Sequence, residues 1–198
     1  MAFMNASINV PIVVLIGAPG SGKGTQSKML AQKYSMTHIG TGDLLRAELA
    51  KGGPSSGELR KLMEGGQHAP KNMVEQLIND VIVKTAMSGT KGYIIDGYPR
   101  DISQGSSFDK RFKAVKQIIY LDVQPATLEK RLKSRTGAQK RLDDTEAAIK
   151  KRIMHFKESV MPLVEQYKKK NQCVVVNGEL PIDQVFAQID KAVAGKIE

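Results

Sequence analysis

Residues 10–16, VPIVVLI, form an apolar run that leads straight into Gly17-Ala18-Pro19-Gly20-Ser21-Gly22-Lys23-Gly24-Thr25. A short run with no polar residue reads as a strand covered on both faces. A glycine-rich loop that opens a helix turns its backbone N–H groups inward and can cradle phosphate oxygens. The helix N-terminus adds the positive end of its dipole, and Lys23 reaches the β- and γ-phosphates as a point charge. Gly20, Ser21, Gly22, Lys23, Gly24 and Thr25 are therefore candidate phosphate-binding residues. A glycine-rich turn without a ligand is the bland alternative, and the order strand, loop, helix speaks against it. One departure from the general pattern bears on metal. Ser or Thr directly after the lysine normally holds Mg²⁺, and here Gly24 stands there with Thr25 behind it. Magnesium is then expected to be held mainly by phosphates and waters, with Asp96 ordering those waters and Thr25 free to meet a phosphate.

Around this loop, β-type runs at 10–16, 37–39, 92–95, 117–123 and 173–176 alternate with helix-type runs. That alternation predicts an α/β fold, a doubly wound five-stranded parallel sheet in one domain over residues 1–198. Ile149, Ile153, Phe156, Val160 and Leu163 mark a long amphipathic helix that Pro162 should kink or restart. Two segments stand outside the scheme. Residues 41–70 hold short helices around 44–49 and 59–63 joined by glycines, and residues 135–144 form a polar loop. Both read as small lobes projecting from the core.

Lys and Arg number 30 against 20 Asp and Glu, a formal charge of +10, which favours anionic partners. Five Tyr, five Phe and no Trp make base-stacking platforms scarce, and no nucleic-acid motif is recognisable. No nucleic-acid partner is expected. Nor is a membrane partner, since no apolar run approaches the roughly 18 residues of a span. No Lys or Arg lies between Met1 and Asn9, which argues against a leader peptide. A single cysteine, Cys173, rules out internal disulfides and a multi-cysteine zinc site. The cytoplasm is the expected compartment.

Three blocks, GAPGSGKGTQ at 17–26, TGDLLR at 41–46 and DGYPR at 96–100, together resemble the adenylate kinase family over essentially the whole chain. The resemblance implies transfer of the γ-phosphate of Mg·ATP to AMP, giving two ADP. It implies a monophosphate-binding lobe at 41–70 and a short lid at 135–144. ATP would meet Gly20 to Thr25, Arg131 (at the adenine) and Arg135. AMP would meet Thr41, Arg46, Gly97, Arg100, Gln104, Arg141 and Arg152. Arg46 and Arg100 look like the clamp on its α-phosphate, a task that suits planar guanidinium forks. Charge on the transferring phosphoryl would fall to Lys23, Arg100, Arg135, Arg141 and Arg152.

The resemblance also implies a cis Tyr98–Pro99 bond, no structural zinc, a monomer, and Asp96 near the metal rather than as a turn cap. Asp143 and Asp144 follow Arg141 as in the family's lid. Asp143 has a second reading as helix N-cap, with Glu146 three residues on, and the two stand level. Lys140 occupies a place where short family members commonly carry glycine. UMP/CMP kinases of the same fold tend to have Ala in place of Thr41 and Asn in place of Gln104. Gln104 offers a donor and an acceptor to an adenine edge. AMP is the expected acceptor.

Overall fold

The computed structural model describes residues 10–112, 115–136 and 140–197. Its strands are β1 (Ile12–Gly17), β2 (Thr37–Gly40), β3 (Tyr93–Asp96), β4 (Val115–Asp122) and β5 (Cys173–Asn177). They form one parallel sheet in the order β2-β3-β1-β4-β5. The chain fills one side of β1 with β2 and β3, then crosses to the other with β4 and β5. Ligands of such sheets bind where the order reverses, beyond the carboxyl ends of the strands.

Side chains alternate along β1, and both faces are covered. Ile12, Val14 and Ile16 join a larger core layer, while Val13 and Leu15 join a smaller one. All but Ile16 are fully inaccessible, and Ile16 is nearly so. Each such side chain contributes about 1.5–3 kcal/mol by leaving water. The smaller layer is closed by α1 (Lys23–Lys33) and α9 (Ile182–Ile197), through Leu30, Ala31, Val185, Ile189 and Val193.

The remaining helices serve the larger layer. These are α2 (Thr41–Lys51), α3 (Ser56–Glu64), α4 (Lys71–Thr85), α5 (Ile102–Arg111), α6 (Pro125–Lys133), α7 (Glu146–His155) and α8 (Met161–Lys169). The segment 41–70 is less detached than its glycines suggest. Leu45, Leu49, Leu59 and Met63 are buried in the larger layer, so its apolar faces lean on the core. Gly137, Ala138 and Gln139, the centre of the expected lid, lie outside the described residues, as do residues 1–9.

Between α7 and α8 the chain makes a π-helical turn, Phe156–Val160, and α8 then restarts with Pro162 in its first turn. Proline has no N–H to give back to residue 158, and its ring crowds that carbonyl, so the wider turn absorbs the mismatch.

Candidate active site

The loop after β1 turns sharply at Gly22, whose φ of 96° is a left-handed conformation that side chains disfavour. That turn launches α1 at Lys23, and it caps the helix without any side-chain bond. Lys23 bends over the loop, donating from Nζ to the carbonyls of Gly17 at 2.7 Å and Ala18 at 3.0 Å. Burial pulls its ammonium down to about 8. Asp96 works against that fall, and Arg100, Arg152 and Arg141 add to it.

At the end of β3 the chain turns at Gly97, φ 81°, where a Cβ would stand 2.9 Å from Thr41 Oγ1. Glycine is required there on both counts. Thr41 Oγ1 donates into this turn, 3.1 Å from the carbonyls of both Asp96 and Gly97. Arg100 Nε donates to Gly97 O at 2.7 Å and its Nη2 lies 3.4 Å from Thr41 Oγ1. The TGDLLR and DGYPR blocks are thus joined by their own polar side chains. The Tyr98–Pro99 bond is cis.

From the far side come the arginines of the polar loop and α7. Asp144, its side chain only 3% accessible, ties this corner together. Its carboxylate meets Arg135 at 3.2 Å, accepts the Arg141 backbone N–H at 3.0 Å, and lies 3.8 Å from Arg152. Asp143 meets Arg152 at 2.8 Å. Its alternative role as helix cap is corrected here. α7 begins at Glu146, so Thr145 occupies the cap and accepts from Ala148 N at 3.3 Å. Asp143 stands two residues too early. Glu146 turns outward to Lys150 at 3.1 Å.

These parts enclose a cavity of about 680 Å³ at the carboxyl edge of the sheet. Lys23, Gly20, Gly22, Gly24, Thr25, Thr41, Arg46, Asp96, Gly97, Arg100, Arg131, Arg135, Arg141 and Arg152 all line it. Arg46 pairs with Asp43 one turn away on α2. Arg131 donates to Gly178 O at 3.0 Å. Burial lowers Arg100 and Arg141 from their ordinary values and brings Arg152 to about 10, the neighbouring arginines adding to the effect. Several cations crowded from water around one space constitute a site for a polyanion.

Two expected residues do not line the cavity. Ser21 is buried beneath the loop with its Oγ 3.5 Å from Lys23 Nζ. Gln104 is also buried, its Oε1 accepting the Arg100 backbone N–H at 2.9 Å. It braces the turn that carries Arg100 instead of presenting both halves of its amide to a base. Conversely, Lys28, Gln67 and His68 line the cavity and had no motif to mark them, and Asp43 lines it from within the TGDLLR block. His68 is held near 4 by burial, with Arg100, His155 and Arg152 adding to the fall, and its ring centroid lies 5.6 Å from that of His155. Gly65, Gly66 and Pro70 around it signal a loop, not a ligand contact.

The adenylate kinase family model matches residues 15–172. The chain belongs to the adenylate kinase family. It is 40% identical over 187 residues to adenylate kinase isoenzyme 1 of Caenorhabditis elegans, covering 92% of this chain and 89% of that protein. The carp protein of the same name is 40% identical over 92% of this chain and 93% of its own length. The human one is 39% identical over 90% and 91%. Membership makes the chain a nucleoside monophosphate kinase, and the loop after β1 and the DGYPR turn line one cavity.

Among the described residues no group of three or more His, Cys, Asp or Glu side chains is placed to hold a metal ion. The donor set nonetheless suits Mg²⁺ brought in on a triphosphate. Asp96 Oδ2 lies 3.6 Å from the point a Cβ at position 24 would occupy, so one carboxylate faces the loop. One carboxylate, phosphate oxygens and retained waters are a common magnesium environment.

Proposed function

We propose that this chain catalyses reversible transfer of the γ-phosphate of Mg·ATP to AMP, giving two ADP. The observation that carries the proposal is the convergence of Lys23 and six arginines on one cavity framed by the three motif blocks. Phosphoryl transfer asks little covalent chemistry of the protein and much positive charge in fixed places.

ATP lies along the loop after β1, its phosphates on the N–H groups of residues 20–25 and on Lys23. Arg131 faces its adenine end and Arg135 its phosphates. AMP lies between α2 and the DGYPR turn, with Arg46 and Arg100 on its phosphate and Thr41 and Gly97 beside it. Arg141 and Arg152 bridge the two nucleotides, where charge builds on the transferring phosphoryl. Bound magnesium, ordered by Asp96 through water, would neutralise charge between the β- and γ-phosphates. Residues 41–70 serve as the monophosphate-binding lobe and 135–144 as the short lid, whose closure excludes water from the reacting phosphoryl. Asp144 holds Arg135 and the Arg141 backbone of the lid, and Asp143 holds Arg152 of α7, at the cavity wall. The protein works as a monomer in the cytoplasm without structural zinc.

Thr41 stands where pyrimidine monophosphate kinases tend to carry Ala, and it anchors the turn against which the acceptor lies. A coupled assay comparing AMP, UMP, CMP and GMP at fixed Mg·ATP tests the reading. The highest kcat/KM is expected for AMP. A better value for UMP or CMP would assign the chain to the pyrimidine kinases of the same fold.

A further inference from the structure

The active-site arginines leave most of the +10 charge unexplained. Much of it lies at the opposite end of the sheet. Every helix-to-strand connection in a parallel sheet returns to the amino edge, and these connections carry lysine after lysine. Lys84 lies in the last turn of α4 and Lys91 precedes β3; Lys110 lies in the last turn of α5 and Lys116 is the second residue of β4; Lys169 ends α8 and Lys170 follows it. All six are exposed.

Contacts join these turns into one floor. Lys91 N donates to Ser35 O at 3.0 Å, Arg111 donates to Asn79 on α4 at 2.6 Å, and Lys170 meets Asp109 on α5 at 3.7 Å. Three acids near the floor are paired, Asp109 with Lys170, Glu165 with Lys168 and Asp190 with Lys33, while Asp80 on α4 accepts from Gln76. Among the described residues Lys84, Lys91, Lys110, Lys116 and Lys169 have no ion-pair partner, so lysine stands in excess there.

Lysines in last turns also complement helix dipoles. That accounts for Lys84, Lys110 and Lys169 but not for Lys91 or Lys116, which lie outside helices. It does not account for the turn after α4 either. There Met87, between Lys84 and Lys91, is 99% exposed, and Val83 in the last turn of α4 is 44% exposed. An unshielded apolar tip flanked by lysines is the pairing that meets a lipid interface, the side chain entering and the cations resting on anionic headgroups. A nucleic-acid surface would instead offer several open stacking rings; here Tyr167 and Phe112 are buried, and Tyr34 is half-buried with its hydroxyl donated to Asp190.

We propose that the amino edge of the sheet docks peripherally on anionic lipid bilayers, with these lysines on the headgroups and Met87 in the interface. The nucleotide cavity then faces away from the membrane and stays open to solution. The expectation of no membrane partner, drawn from the lack of a spanning run, is revised accordingly. No helix of the described residues is long and apolar enough to cross a membrane, and peripheral docking needs none.

Vesicle co-sedimentation tests this with the intact protein. The vesicles are phosphatidylcholine alone, or with about one-third phosphatidylserine, whose surface potential attracts basic residues. Binding is expected only to the anionic vesicles, and it should fall as salt screens the contact. Lys110→Glu/Lys116→Glu/Lys169→Glu should weaken binding by about tenfold or more. Lys130→Glu/Lys151→Glu/Lys157→Glu, with the same net charge, should change it by no more than about twofold. Met87→Ser should weaken it a few-fold with an unchanged salt slope. All three variants should keep full phosphotransfer activity, which also reports that they are folded. Equal losses in the two triple variants would overturn the proposal in favour of bulk charge. Absence of binding to the anionic vesicles, or tighter binding to RNA than to vesicles at the same salt, would overturn it as well.

Discussion

At the carboxyl edge of the sheet, Arg100 is fixed by Gly97 and Thr41, and Arg152 by Asp143. At the amino edge, Lys110, Lys116 and Lys169 stand in water with no ion-pair partner among the described residues. The sign of charge is the same, and its physical meaning differs. A guanidinium desolvated and hydrogen-bonded in place has given up its freedom before a ligand arrives, so it stabilises developing charge with little reorganisation. A solvated lysine attracts from a distance and is screened by salt. Placement, not charge, separates catalysis from attraction in this molecule.

The comparison breaks most readily at Lys23. Lys23→Met is expected to lower kcat by about 10²-fold or more with the fold intact by circular dichroism, whereas Lys110→Met should leave kcat alone. Retained activity within a few-fold would remove Lys23 from the chemistry. Its low-lying ammonium makes a second demand. The charged form is lost as pH rises through about 8, so kcat/KM for ATP, which reports the free enzyme, should decline above that pH. A flat profile up to the ordinary lysine range would contradict the placement.

The lid sharpens the same contrast within a few residues. Arg141→Ala should cost on the order of 10²-fold in kcat if it meets the transferring phosphoryl, and Lys140→Ala should change little. Small and equal effects, relieved alike by salt, would reduce the lid to a basic loop.

How much of this was legible beforehand follows the same division. Four of the strands were readable as near-continuous apolar runs, as expected of strands covered on both faces, whereas residues 37–39, Thr-His-Ile, are not such a run. All five fall within two residues of their expected bounds. The arginines were readable because they sit in ordered motif blocks. What escaped depends on packing across the chain. Gln104 follows the DGYPR arginine at the expected spacing, yet its carbonyl is spent on Arg100 N. Asp143 has the spacing of a capping box, but the start of α7 decides which residue caps, and that start is set by how the helix docks. His68 lies in a glycine-flanked loop with no pattern, and it reaches the cavity because the turn after α3 packs on α7, Gly66 against Ala148 and His68 against His155.

His68 provides the smallest expected effect. Its folded value near 4 lies below the ordinary 6.5, chiefly because it is buried. The unfolded chain therefore binds a proton between those limits that the folded chain refuses. The stability this contributes is full above about pH 6.5 and is lost as pH falls toward about 4. Urea midpoints at neutral and acid pH should differ less in His68→Asn than in the parent chain. An identical acid loss in both would mean that His68 is not the group responsible.

Two adjacent residues of α7 test the central claim most directly. Arg152 faces the cavity, while Lys151 faces solvent. Steady-state kinetics with Mg·ATP and AMP should show Arg152→Lys losing about 10²-fold in kcat although its charge is kept, because the planar fork is gone. Lys151→Ala, which removes a charge, should remain within about twofold. Near-normal kcat in Arg152→Lys, or a comparable loss in Lys151→Ala, would mean that net charge rather than placed guanidinium groups drives the transfer.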